Sequence, residues 1–272
     1  MKIFLEKLLC VLAITFIYIC LIPYIFIGIS VRLVNKRLSV IMTSYWAFLI
    51  WYFFRRILGL SYVIKGNHNL KKKNYLVITN HIGSFDFMII NDIFYENGMM
   101  KNLKYIVKDQ LKYVPIFYQT ICLLNFLILK RNFEEDKNKI IEFMKSLAKN
   151  EIPACLILYP EGTRFTEEKK LKSWEFCEKT GNQKFNNVLF PRFKGLELIG
   201  STVDQSYIDE IADITIIHKE KDVPSLWQIL FTEIKGEVEI NVKTTPIKDI
   251  SNFKEFLLES FRRKDLILEK NK

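Results

Sequence analysis

VITNHIGSFDFMII, residues 77–90, leaves an apolar run at Asn80-His81, turns through Gly83 and Ser84, and becomes apolar again after Asp86. Tyr75 to Thr79 is short, β-branched and bounded by polar residues, which predicts a buried strand. Ser84 suits the cap of a helix over Phe85 to Tyr95. His81 then sits just past the carboxyl end of a strand, where open α/β sheets place their ligands. Similar short runs recur at Tyr62–Lys65, Tyr105–Val107, Phe126–Leu129, Ala154–Tyr159, Val188–Phe190, Ile214–Ile217 and Val238–Val242. Between them, Glu134–Lys149 and Phe253–Ile267 carry apolar residues at helical spacing. The pattern predicts an α/β fold with a largely parallel central sheet flanked by helices. Lys169 to Lys172 reads as a solvated loop.

The amino-terminal quarter has another texture. No charged residue occurs from Leu8 to Val31, long enough at ~1.5 Å per residue to cross a ~30 Å hydrocarbon layer. A second uncharged run, Leu38 to Phe54, is at the short end for a span, and Trp46, Trp51 and Tyr52 suit a membrane interface. Residues 1–58 are therefore expected to be a membrane-anchoring pair of helices, the second shallow, ahead of an α/β domain over 59–272. Of the net charge of +10, much lies here: Lys2, Lys7, Arg32, Lys36, Arg37, Arg55, Arg56 and Lys65 oppose only Glu6 before residue 66. Basic residues that bracket apolar segments suit anionic head groups, and no nucleic-acid-binding module accompanies them. The five cysteines form no C-x-x-C pair and read as reduced thiols. His68 and His218 lack acidic or cysteine partners at ligand spacing, so both read as surface or turn residues and no metal is expected.

Two stretches carry chemistry. Asp86 lies five residues past His81, so only a loop, turning at Gly83, brings its carboxylate back to the ring. An aspartate on one imidazole nitrogen leaves the other free to take a proton. A polar turn that caps a helix fits the same residues. LILYPEGTRFTEEKK again places polar residues, Pro160-Glu161-Gly162-Thr163-Arg164, directly after an apolar strand. Gly162 permits close backbone approach, Arg164 can fork onto a phosphate, and Glu161 can fix the arginine or a ligand. An ordinary β–α turn with a surface ion pair is the competing reading.

Together, N-H-x-x-x-x-D and P-E-G-T-R resemble the glycerophospholipid acyltransferase family. FLILKRNFEED (126–136) resembles the family's second block and puts Arg131 on the acceptor's phosphate; VLFPRFKGLE (188–197) resembles the fourth, around Pro191 and Gly195. The later sequence is similar to the branch containing lysocardiolipin acyltransferase. The second block departs from the family at Asn125, where a small residue, commonly glycine, is usual.

The resemblance implies acyl transfer from acyl-CoA, as co-substrate, to the free glycerol hydroxyl of a lysophospholipid, by default lysophosphatidate to phosphatidate. Lysocardiolipin and lysophosphatidylinositol are the alternative acceptors. It implies His81 and Asp86 as catalytic, Arg131, Arg164 and Lys108 on phosphate, and Asn80, Ser84, Glu161, Gly162, Thr163 and Pro191 as binding or structural residues. Backbone N–H groups at Ser84 or around Gly162 would face the oxyanion. No cofactor is expected, and the partners are membrane phospholipids and the two substrates, at the endoplasmic reticulum. An inactive lipid-binding protein and a hydrolase remain as alternatives.

Overall fold

The computed structural model describes residues 2–57, 60–83, 86–203, 206–218 and 234–271. Seven strands, β1 (Leu60–Asn67), β2 (Tyr75–Thr79), β3 (Leu103–Lys108), β4 (Leu127–Leu129), β5 (Cys155–Leu158), β6 (Glu210–His218) and β7 (Ile234–Pro246), form one sheet in the order β1-β7-β6-β2-β5-β3-β4. The five from β6 to β4 run parallel, whereas β7 opposes β6 and carries β1 alongside it. All five residues of β2 and all four of β5 are buried, as central strands covered on both faces require.

Alternation along β2 divides the core. Leu76 and Ile78 join the cluster under α5 (Phe133–Lys149), α7 (Lys194–Thr202) and α8 (Phe253–Glu269), with Ile140, Leu147, Leu196, Ile199 and Phe261. Tyr75 and Val77 face the opposite cluster with Met88, Ile89, Ile93 and Phe94 of α3 (Asp86–Glu96). The carboxyl ends of β2, β5, β3, β4 and β6 consequently share one edge, and every stretch marked for chemistry follows one of them.

The helices that the apolar pattern predicts are present, and others are not periodic enough to be read. Lys169 to Lys172 is helical, a correction to the expected loop. It lies in α6 (Glu167–Thr180), whose Thr166 side chain accepts from the Lys169 N–H at 3.3 Å and which ends at Gly181 in the left-handed conformation. Only Cys177 of this helix is buried, so its apolar signal is weak and its caps define it. Val188 to Phe190 is not a strand. Its N–H groups go to side chains instead, Leu189 to Glu161 at 3.0 Å and Phe190 to Ser173 at 2.9 Å, while Val188 fills the core.

The amino-terminal sequence forms two helices, α1 (Lys2–Val34) and α2 (Lys36–Ile57). They are tied to the α/β body. Lys36 donates to Ser146 at 2.5 Å, Arg37 pairs with Glu151 at 2.9 Å, and Trp51 Nε1 donates to Asp92 at 3.2 Å. Short α4 (Phe117–Leu123) meets α1 where Gly28 leaves room for Leu123; a Cβ there would lie 2.8 Å from Leu123 Cδ1. Among the described residues no helix is long and apolar enough to cross a membrane. Along α1, Phe16, Ile19, Phe26 and Leu33 are exposed. Cys155 and Cys177 are buried free thiols, and Cys20 and Cys122 are half-buried ones.

Gly200 on α7 leaves room for the Phe253 ring of α8, since a Cβ would sit 2.3 Å from it. Gly200→Ala is expected to destabilise the fold by about 1–3 kcal/mol through overpacking, measured by urea unfolding. An unchanged midpoint would mean that Phe253 can step aside.

Candidate functional site

The site is built on the edge where the parallel strands end. β2 stops at Thr79, and buried Asn80 takes over its pairing with β6, its side chain donating to Ile216 O at 2.9 Å and accepting from Ile216 N at 2.8 Å. Asn80 is thus a clamp that holds the next residue in place. The chain then turns at Gly83, and Asp86 returns beneath the ring: His81 Nδ1 lies 2.7 Å from Asp86 Oδ2, which also accepts from Gly83 N at 3.0 Å. Asp86 opens α3, where the helix amino terminus favours an anion. Burial would raise its carboxyl pKa, but hydrogen bonds and charge from His218 and His81 outweigh it and hold it below the ordinary value. An ionised Asp86 fixes the proton on Nδ1 and leaves Nε2 as an acceptor on a ring about a quarter exposed. Ser84, expected as a cap and oxyanion neighbour, lies outside the described residues.

The P-E-G-T-R loop holds His81 from the other side. Glu161 Oε1 accepts from His81 N at 2.7 Å, and Phe165 N donates to His81 O at 2.7 Å. The Tyr159 ring lies 4.4 Å from the imidazole, centroid to centroid. Glu161 is buried, and its second oxygen accepts from Leu189 N at 3.0 Å, so one carboxyl joins three segments. Burial pushes that carboxyl up to about 8 against the pull of its two backbone donors. The two motifs are one structure.

Gly162 has φ +69 and carries no Cβ where Arg192 Nε would stand 3.3 Å away. Its carbonyl accepts from Arg131 Nη1 at 3.0 Å. Its N–H donates to Tyr159 O at 2.9 Å. Arg131 follows β4 with φ +70, and Asp136 pins that turn by accepting from Lys130 N at 3.0 Å and Arg131 N at 2.7 Å. Burial, and then the charge of Arg192, lower the Arg131 pKa. Arg192 arrives because its N–H donates to Pro160 O at 2.8 Å, directly after buried Pro191. Two guanidiniums therefore converge on Gly162, and among the described residues no carboxylate pairs with either.

Arg164 is exposed on the same loop, and Thr163 accepts from Lys169 Nζ at 2.7 Å. Lys108 is exposed at the end of β3, in register with Leu129, two residues before Arg131. It shares the edge without touching the cluster. Asn125 has φ +56, which explains why glycine suits this position and why asparagine, tolerant of left-handed backbone, can replace it. Its Oδ1 accepts from Arg32 of α1 at 3.3 Å.

Two residues were missed by the sequence reading. Arg192 stood inside a quoted block and was given no role. His218 is a correction: it is neither a surface nor a turn residue but the last residue of β6, with Nε2 3.2 Å from Asp86 Oδ1. The rule that found His81, a histidine at the carboxyl end of a parallel strand, applies equally to ITIIH. His68 stays a turn residue, paired with Glu96 at 2.8 Å.

Residues 61–185 match the Acyltransferase family profile. The chain is 29% identical over 244 residues to the probable 1-acyl-sn-glycerol-3-phosphate acyltransferase 5 of Arabidopsis thaliana, covering 88% of this chain and 64% of that one. It is 26% identical to lysocardiolipin acyltransferase 1 of Mus musculus, covering 87% and 62%. With the mouse 1-acyl-sn-glycerol-3-phosphate acyltransferase gamma it shares 30% identity over 73% of this chain and 53% of that one. The chain spans about half to just under two thirds of the length of these relatives. The crystal structure of the 1-acyl-sn-glycerophosphate (LPA) acyltransferase PlsC from Thermotoga maritima has the same fold, with TM-score 0.60 at 16% identity over 99% of this chain and 95% of that one. Its motifs, its sequence relatives and the matched profile place the chain in the acyltransferase family, in the branch that holds the lysophosphatidate and lysocardiolipin acyltransferases.

Proposed function

We propose that the protein transfers an acyl group from acyl-CoA to the free glycerol hydroxyl of a lysophospholipid, with lysophosphatidate, giving phosphatidate, as the default acceptor. The observation that carries this reading is the histidine itself: Nδ1 bound to a buried carboxylate at 2.7 Å, backbone gripped on both sides by the P-E-G-T-R loop, and two guanidiniums beside that loop. His81 Nε2 takes the hydroxyl proton as the C–O bond to the thioester carbonyl forms. The tetrahedral intermediate collapses, the C–S bond breaks, and the proton passes from His81 to the departing thiolate, leaving free coenzyme A. No acyl-enzyme is needed, because the acceptor alcohol is itself the nucleophile.

Arg131 and Arg192 bind the acceptor's phosphate, which relieves their mutual repulsion, with Arg164 and Lys108 on the same edge. The exposed apolar residues of α1 seat the chain against a membrane surface, with the endoplasmic reticulum as the expected membrane. Residues 1–58 are then the seating unit and 59–272 the catalytic domain. Both substrates concentrate in that surface.

The test is thiol release from oleoyl-CoA with a panel of lysophospholipids in vesicles. Release only when a lysolipid is present supports transfer; equal release without one would establish a hydrolase, and none at all a lipid-binding protein. Arg131→Ala and Arg192→Ala are each expected to raise KM for lysophosphatidate about 10-fold or more, the scale of one charge-assisted hydrogen bond. Unchanged KM in both would remove them from the acceptor site.

A further inference from the structure

His218 has no part in the mechanism above, yet it shares the carboxylate on which that mechanism depends. Asp86 is fully buried, and Oδ2 already accepts from His81 and Gly83. Among the described residues the donor to Oδ1 is His218 Nε2, at 3.2 Å from a side chain only 12% exposed. A buried carboxylate with one oxygen unpaired is costly and free to rotate. The strand that delivers His218 is anchored from behind: Lys264 and Arg263 of α8 both pair with Asp213 of β6.

We infer that His218 is a positioning residue for the His81–Asp86 pair, which donates from Nε2 to hold the plane of the carboxylate and thereby the ring of His81. The inference rests on the proposed role of His81 as the base. The arrangement is symmetrical in one respect, since two imidazoles flank one carboxylate. His81 and Gly83 hold Oδ2, and His218 holds Oδ1, so the plane of the carboxylate is fixed from both sides. Other charged groups lie on the surrounding elements. Tyr159 and Glu161 follow β5, each influenced by Asp86; Lys264 of α8 acts on Glu161; and Glu237 and Glu239 flank Val238, the register partner of His218 on β7.

The experiment compares the full-length wild type with His218→Gln, which keeps an N–H at the Nε2 position but cannot titrate, and His218→Phe, which fills the space without a donor. Oleoyl-CoA and lysophosphatidate in vesicles serve as substrates, and imidazole resonances, from only three histidines, report the surroundings of the His81 ring by NMR. His218→Phe is expected to lower kcat about 10- to 100-fold with little change in KM, as for loss of one hydrogen bond to a charged group. His218→Gln is expected to restore most of that rate, again with KM little changed, and to keep the His81 ring resonances near their wild-type positions, whereas His218→Phe displaces them. A merely structural residue would alter stability and leave kcat and these resonances unmoved. Wild-type kcat in His218→Phe, or no rescue by His218→Gln, would overturn the inference. If the wild type transfers no acyl group but the His81 resonances still follow residue 218, the positioning role stands and the proposed reaction falls.

Discussion

His81→Ala is expected to reduce acyl transfer from acyl-CoA to lysophosphatidate by about 10²- to 10⁴-fold, the range that general-base catalysis supplies. An alcohol attacks a thioester poorly while it keeps its proton, and the two carboxylates beside His81 are committed elsewhere. Asp86 is buried and already accepts three hydrogen bonds, and Glu161 is committed to two backbone donors. The fold should survive, because the ring is partly exposed and the backbone of residue 81 stays tied to Glu161 and Phe165. Acceptor binding should survive too, since the guanidiniums come from other loops. The measurement is transfer of a labelled acyl chain, beside thermal unfolding of the same preparation. A folded variant within about threefold of wild type would place the base elsewhere.

The fold was legible where a residue's environment repeats. Central strands such as Tyr75–Thr79 and Cys155–Leu158 are apolar throughout because both faces are covered, and α5 shows its buried face at helical spacing. Legibility failed where the signal was a single hydrogen bond. Val188–Phe190 has the composition of a strand but gives its N–H groups to Glu161 and Ser173, partners far away in sequence. α6 buries only Cys177, so its apolar residues show no buried face, and Thr166 and Gly181 mark its ends. At the site, the His81–Asp86 contact was readable because both residues lie within one loop. The approach of His218 and Arg192 was not, since each depends on strand order: β6 must lie beside β2, and the fourth block must return to β5.

Glu161→Ala is expected to cost about 2–6 kcal/mol of stability, because it strands two buried N–H groups at about 1–3 kcal/mol each. Those donors belong to His81 and Leu189, so the loss should appear as disordering of the catalytic loop as well as a lower unfolding midpoint. Activity should fall even in the fraction that remains folded. Glu161→Gln isolates the role of the proton. The native carboxyl, raised by burial to about 8 from an ordinary 4.5, holds its proton where the unfolded chain has released it. Its contribution to stability is therefore complete below about 4.5 and is lost as pH rises through 8. Urea unfolding of the wild type should show this decline between those values, and Glu161→Gln, which cannot ionise, should flatten it while losing stability at every pH because its amide meets one of the two donors. If stability of the wild type rises across that window with the same slope in both proteins, Glu161 is ionised in the native state, and its two hydrogen bonds outweigh its burial.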